Sequence, residues 1–239
     1  MSKDAAVSMG AALPQPKASR RKAPRTPSEV FLLVPNLIGY ARVVFALAAF
    51  ATPTTRPVQA VSFYVLSTML DAFDGVAARM LGQSSRFGAA LDMVTDRCTT
   101  ACLLMSLGKM FPSWMLAFQC LLSLDVASHY IHMYASTLSG SQSHKDLDTN
   151  RNWFLRLYYT SRVMLFCMCF GNELFFLACF VYYYTSGFSV FGLVNFVPLV
   201  MAISFPVMAI KQVLNVIQLA GASINIAKQD ILDAQSRDQ

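Results

Sequence analysis

Asp71 and Asp74 stand three residues apart, and Asp92 and Asp96 stand four apart, in stretches that are otherwise mostly apolar. Both spacings put each pair on one face of a helix. Only a short loop over 82–87 separates the two stretches, so the helices are antiparallel neighbours whose four carboxylates converge near the joined ends. Four like charges at that range repel strongly unless a cation lies between them. Hard divalent ions suit an all-oxygen set, and bridging carboxylates can hold two of Mg²⁺ or Mn²⁺ with positions left for water and a substrate phosphate. Gly75 lets a ligand approach the backbone beside Asp74, and Gly88, one turn before Asp92, admits a neighbouring helix or a headgroup. Arg79 lies one turn beyond Gly75, where a guanidinium suits a phosphate. The constellation reads as a two-metal diphosphate site.

The elements that must position these residues are membrane helices. Of the 239 residues, 13% are charged and 55% hydrophobic, against about a quarter charged in soluble domains. The mean hydropathy of +0.46 is spread along the chain, and a soluble core of this size cannot hide such a surplus, so the excess faces lipid. Spanning the hydrocarbon takes about 20 mostly apolar residues. Six stretches approach that length, near 34–52, 58–81, 88–110, 113–137, 162–184 and 190–219. The fold expected is all-α and polytopic, with six transmembrane helices. Pro198 and Pro206 fall in the sixth stretch, where proline kinks a membrane helix more often than it ends one. Residues 1–28 read as a basic tail, 29–222 as the membrane domain and 223–239 as a polar C-terminal tail.

Charge sets the orientation. Lys3, Lys17, Arg20, Arg21, Lys22 and Arg25 face a single acid, Asp4, in the first 28 residues. With six spans both ends share a side, and of the 19 Lys and Arg only Arg56 and Lys109 fall opposite. The positive-inside rule then makes the tail, the 82–87 loop and the 139–161 loop cytosolic. The tail lacks a central apolar stretch, which predicts a disordered segment able to touch anionic lipid rather than a cleavable signal. Away from it the chain is nearly neutral, which argues against a nucleic-acid partner. All six cysteines lie in apolar runs and read as small hydrophobes rather than a disulfide framework.

Residues 71–96 spell D-x2-D-G-x2-A-R-x8-G-x3-D-x3-D, which resembles the signature of the CDP-alcohol phosphotransferase family without a departure. Outside it, Val34 to Arg42, Ser84 to Arg97, Ser123 to His129, Ser143 to Lys145, Tyr158 to Arg162 and Gly171 to Phe175 resemble the eukaryotic phosphatidylinositol synthases, a branch of that family. The resemblance implies a homodimer of six-helix protomers in the endoplasmic reticulum, or the Golgi, with the site facing the cytosol. It implies transfer of a phosphatidyl group from CDP-diacylglycerol to myo-inositol with release of CMP. Carried over by position, it assigns Asp71, Asp74 and Asp92 to one metal ion and Asp71, Asp92 and Asp96 to a second. Asp96 is also its general base, Gly75 and Arg79 contact the CDP moiety, and Ser85 keeps a hydroxyl near the diphosphate.

Other residues carry two readings each. His129 and His132, with Asp125 one turn before His129, have a spacing that can bind a transition metal or simply hydrogen-bond within the bundle. Arg42 lies at the level of the carboxylates, able to pair with one of them or with a lipid phosphate. The loop with His144, Lys145, Arg151 and Arg156 reads as a solvated connector, and Arg162 as a headgroup or inositol contact. Two rival functions stay open at this point. A sister enzyme would use glycerol 3-phosphate, serine or diacylglycerol as acceptor, and a cation transporter would use the carboxylates as a pathway.

Overall fold

Proline and glycine punctuation cuts the chain into helices, two of which start at a side-chain cap. A computed structural model describes residues 26–51, 55–138, 162–190, 192 and 194–237. The basic tail up to residue 25, the loop with His144, Lys145, Arg151 and Arg156, and the side chain of Arg162 lie outside the described residues. A short helix α1, Pro27–Phe31, starts at a proline behind Thr26, whose Oγ1 accepts from the Glu29 N–H. Helix α2 spans Val34–Ala51. Helix α3, Pro57–Met80, again opens on a proline. Ser85 caps α4, Arg86–Met110, by accepting from the Gly88 N–H at 2.9 Å. One 3-10 turn, Pro112–Trp114, leads into α5, Met115–Leu138. Helix α6 covers Arg162–Tyr182 and helix α7 covers Phe196–Arg237.

Among the described residues, four helices are long and apolar enough to cross a membrane: α2, α3, the 163–182 part of α6, and α7. The two other expected spans coincide with α4 and α5, which have the length at 25 and 24 residues. They are less apolar because α4 carries Asp92, Asp96, Arg97 and Lys109 and α5 carries Asp125, His129 and His132. The chain is therefore all-α and multi-pass. The sixth expected stretch differs from the observed helix at both ends. Ser189–Val190 pairs antiparallel with Val194–Asn195, and Gly192 takes φ +70°, so α7 starts only at Phe196. It then absorbs Pro206 and continues through the polar segment to Arg237, so the expected C-terminal tail is helical for most of its length.

Helix α2 packs on α3 and α4, α4 on α5 and α6, and α7 on both α5 and α6. An apolar core fills the bundle at the C-terminal end of α2 and the N-terminal end of α3. Ala49, Ala60, Tyr64, Leu103, Leu107 and Phe176 are its buried centre. Large apolar side chains such as Leu47, Val58, Met105, Leu116, Phe166 and Ile203 point outward. Lipid tails are as apolar as these side chains, so helix association rests on close packing and buried hydrogen bonds rather than on expulsion of water.

A glycine lets α6 and α7 pack closely. A Cβ on Gly171 would lie 2.5 Å from Val207 Cγ1 and 2.9 Å from Val207 Cβ, and a β-branched side chain has no rotamer that clears it. Gly171→Ala is expected to destabilise the bundle by about 1–3 kcal/mol through overpacking, read as a lower unfolding temperature in detergent. Adding Val207→Ala should recover most of the loss.

Candidate active site

The four signature carboxylates lie on the second half of α3 and the first half of α4, and the turn between those helices sets their register. Leu81 donates its N–H to the Ala77 carbonyl and Gln83 to the Ala78 carbonyl, both at 2.9 Å. Gly82 takes φ +61°, a left-handed conformation that glycine adopts without a Cβ clash. The buried Gln83 side chain then accepts from the Val34 N–H at 3.0 Å, satisfying one of the free donors at the start of α2. That bond pins the α3–α4 turn to α2.

Arg42, on α2, reaches the centre of the four carboxylates. Its Nη1 donates to Asp74 Oδ2 at 2.7 Å and Asp92 Oδ1 at 2.6 Å, and its Nη2 to Asp96 Oδ1 at 2.5 Å. Nη2 also pairs with Asp71 Oδ1 at 2.5 Å. The arginine side chain is 4% exposed, whereas Asp71 and Asp92 are 44% and 46% exposed, so the acidic rim is open and the cation is not. Ser67 on α3 donates to the Arg42 carbonyl at 2.9 Å and locks the two helices at this level. The sequence left Arg42 between a carboxylate and a lipid phosphate; all four carboxylates take it.

Oxygens of Asp71, Asp74 and Asp92 lie within 4.8 Å of one another. That all-oxygen donor set is the chemistry of Mg²⁺ or Mn²⁺ sites rather than of softer metals. One guanidinium against four carboxylates leaves the cluster net negative, so the residues fit divalent ions. Beside them lies a cleft of about 170 Å³ lined by Asp74, Gly75, Arg79, Ser85, Gly88 and Asp92. Every signature residue singled out from the sequence, except Asp71 and Asp96, thus borders one cavity. Gly75 leaves its floor open to the Arg79 guanidinium, whose Nη1 would sit 3.3 Å from an added Cβ. At Gly88 a Cβ would meet Asn36 Oδ1 at 2.7 Å, so the neighbour admitted there is α2 itself. Asn36 was missed as a site residue, although an asparagine buried to 2% exposure in an apolar helix is a signal in its own right.

A second polar layer lies deeper in the bundle. Arg97 donates from Nη1 to Asp125 Oδ1 at 2.7 Å and lies 3.6 Å from Asp96. Glu173 accepts from the Tyr64 hydroxyl and from Thr100 Oγ1. Lys211 donates to Asn215 Oδ1 at 2.6 Å. His129 donates Nδ1 to the Asp125 carbonyl at 2.8 Å, so of its two readings the structure gives the bundle hydrogen bond. Glu173 and Lys211 were not singled out, though charges inside apolar stretches are the sign that finds such residues. The six cysteines are free thiols.

Comparison with known proteins places the chain among relatives of one family. A family model described as CDP-alcohol phosphatidyltransferase matches residues 32–216. The CDP-diacylglycerol–inositol 3-phosphatidyltransferase of Homo sapiens is 48% identical over 204 residues, covering 85% of this chain and 95% of that protein. Proteins of the same name from Candida albicans and Saccharomyces cerevisiae are 45% identical over 210 residues and 39% over 214. They cover 88% and 90% of this chain, and 88% and 94% of their own lengths. No solved structure matched the chain.

Removing one partner of a buried pair leaves the other charge uncompensated. Asp125→Ala is therefore expected to cost about 3–5 kcal/mol of stability. Asp125→Asn, which keeps an acceptor for Arg97, should cost less; unfolding in mild detergent measures both.

Proposed function

This chain belongs to the CDP-alcohol phosphatidyltransferase family, and we propose that it transfers the phosphatidyl group of CDP-diacylglycerol to myo-inositol, releasing CMP. The observation that carries this reading is the open carboxylate cleft in a chain 39–48% identical, over most of its length, to proteins named for that reaction. In the same reading, Asp71, Asp74, Asp92 and Asp96 hold two ions of Mg²⁺ or Mn²⁺. Bound there, the ions supply neutralisation of the diphosphate and a stabilised CMP leaving group.

The chain's own residues do the rest by positioning. Gly75 leaves the helix backbone open to the CDP moiety, Arg79 pairs with its phosphates, and Ser85 offers a hydroxyl at the mouth of α4. Asp96 takes the proton of an inositol hydroxyl as that oxygen attacks the phosphorus bearing diacylglycerol. The bond from that phosphorus to the CMP oxygen breaks, and CMP leaves with the electron pair. No covalent intermediate on the protein is needed. Arg162, at the start of α6, is our candidate for a headgroup or inositol contact.

The finer architecture follows the same reading. Helices α4 and α5 are two further spans, because Asp96, Arg97 and Asp125 pair inside the bundle while Met105 and Leu116 face outward. In this reading the distribution of Lys and Arg turns both termini and the cleft to the cytosol, and the resemblance to phosphatidylinositol synthases implies the membrane of the endoplasmic reticulum or Golgi. The membrane domain covers 29–222, the basic tail touches anionic lipid, and protomers pair as a homodimer.

The test is CMP release by purified protein given CDP-diacylglycerol and divalent metal, with myo-inositol compared against glycerol 3-phosphate and serine. Release with inositol alone, abolished by EDTA, is expected. Asp96→Asn should lower turnover by about 10²–10⁴-fold, the usual weight of a general base, without loss of fold. Release with another acceptor would overturn the acceptor assignment, and metal-independent release would overturn the two-ion site.

A further inference from the structure

Arg42 contacts one oxygen of each signature carboxylate, at 2.5–2.7 Å. A dedicated arginine–carboxylate pair is usually a fork in which parallel N–H groups meet both oxygens of one partner. Here each terminal nitrogen is instead shared between two carboxylates from different helices. Nε is buried and has no hydrogen-bond partner at all. The guanidinium therefore acts as a central cation for the whole cluster rather than as one acid's partner.

Three of the carboxylates that Arg42 contacts, Asp71, Asp74 and Asp92, are also the ones whose oxygens lie close enough together to share one metal ion. Mg²⁺ takes its oxygens at about 2.0–2.1 Å, and a cluster closed around an ion at that range has no room for a guanidinium on the same atoms. Two divalent ions would also carry far more charge than the single positive charge of Arg42, so electrostatics favours the ions once they arrive. The Arg42 backbone is held by Ser67, which confines any exchange to rotation of the long side chain.

We propose that Arg42 is an exchangeable counter-ion: it holds Asp71, Asp74, Asp92 and Asp96 together while no divalent ion is bound, and it is displaced when the ions load. Metal and arginine compete for one cluster, so the protein keeps α2, α3 and α4 docked in either state and gives up part of its metal affinity to do so. This inference rests on the two-ion reading above.

The experiment measures Mn²⁺ binding to the full chain in detergent, from the loss of the free-ion electron paramagnetic resonance signal, alongside unfolding temperature in EDTA and in Mn²⁺. Arg42→Gln is expected to bind Mn²⁺ about tenfold more tightly than wild type, as removal of a coupled competitor requires. Its unfolding temperature should fall in EDTA and recover with Mn²⁺, while wild type changes little. Arg42→Lys, with one ammonium that cannot span four acids, should lie between them. In wild type, Mn²⁺ should raise modification of Arg42 by phenylglyoxal, mapped by mass spectrometry. Equal or weaker Mn²⁺ binding by Arg42→Gln, unfolding that Mn²⁺ does not rescue, or protection of Arg42 by Mn²⁺ would each overturn the proposal. A wild-type protein that binds no Mn²⁺ would overturn the two-ion reading itself.

Discussion

One guanidinium joined to four carboxylates is the interaction on which the site half of this bundle depends. Each carboxylate at helix depth costs on the order of 2.5–3.5 kcal/mol on insertion scales, and crowding four of them adds mutual repulsion. Arg42 offsets both from a third helix. It therefore does more than neutralise: by contacting Asp71 and Asp74 on α3 and Asp92 and Asp96 on α4, it ties three helices at one level. The turn hydrogen bond from Gln83 to α2 and the Ser67 bond to the Arg42 carbonyl repeat that tie through neutral groups.

The rest of the molecule divides around this constraint. Away from the acidic end, packing is apolar and close, with Leu103, Leu107 and Phe176 almost fully enclosed. Between the two lies a layer in which every buried charge described has a polar partner: Arg97 with Asp125, Glu173 with Tyr64 and Thr100, Lys211 with Asn215. Such a layer is costly as a source of stability, since buried ion pairs repay little more than their desolvation. Its effect is to keep α3, α4, α5 and α6 in one arrangement behind Asp96. The proposed proton acceptor thus sits between Arg42 on one side and Arg97 of this polar layer on the other.

Much of this was legible in the residues alone. The spacing of Asp71, Asp74, Asp92 and Asp96 determined that two helices carry acids on single faces, and the short 82–87 link determined that those faces meet. Apolar length determined where the helices run, to within a few residues for all but the last. That helix defeated the reading because hydropathy marks where lipid ends, not where a helix ends: past the apolar stretch, Ile224, Ile231 and Leu232 stand among polar residues that favour helix, and α7 continues to Arg237.

What only the tertiary structure decided is which groups from distant segments meet. Periodicity orders residues along one helix and is silent on how helices are rotated about their axes relative to one another. Arg42 had two possible partners until the rotation of α2 aimed it at the acids, and Asn36 had no visible role until Gly88 made space for it. Glu173, placed by α6, finds its partners on α3 and α4, more than 70 positions away in the chain. Local spacing determines a face because a helix has a fixed repeat; long-range pairing depends on packing that emerges only once all the faces compete for the same interior.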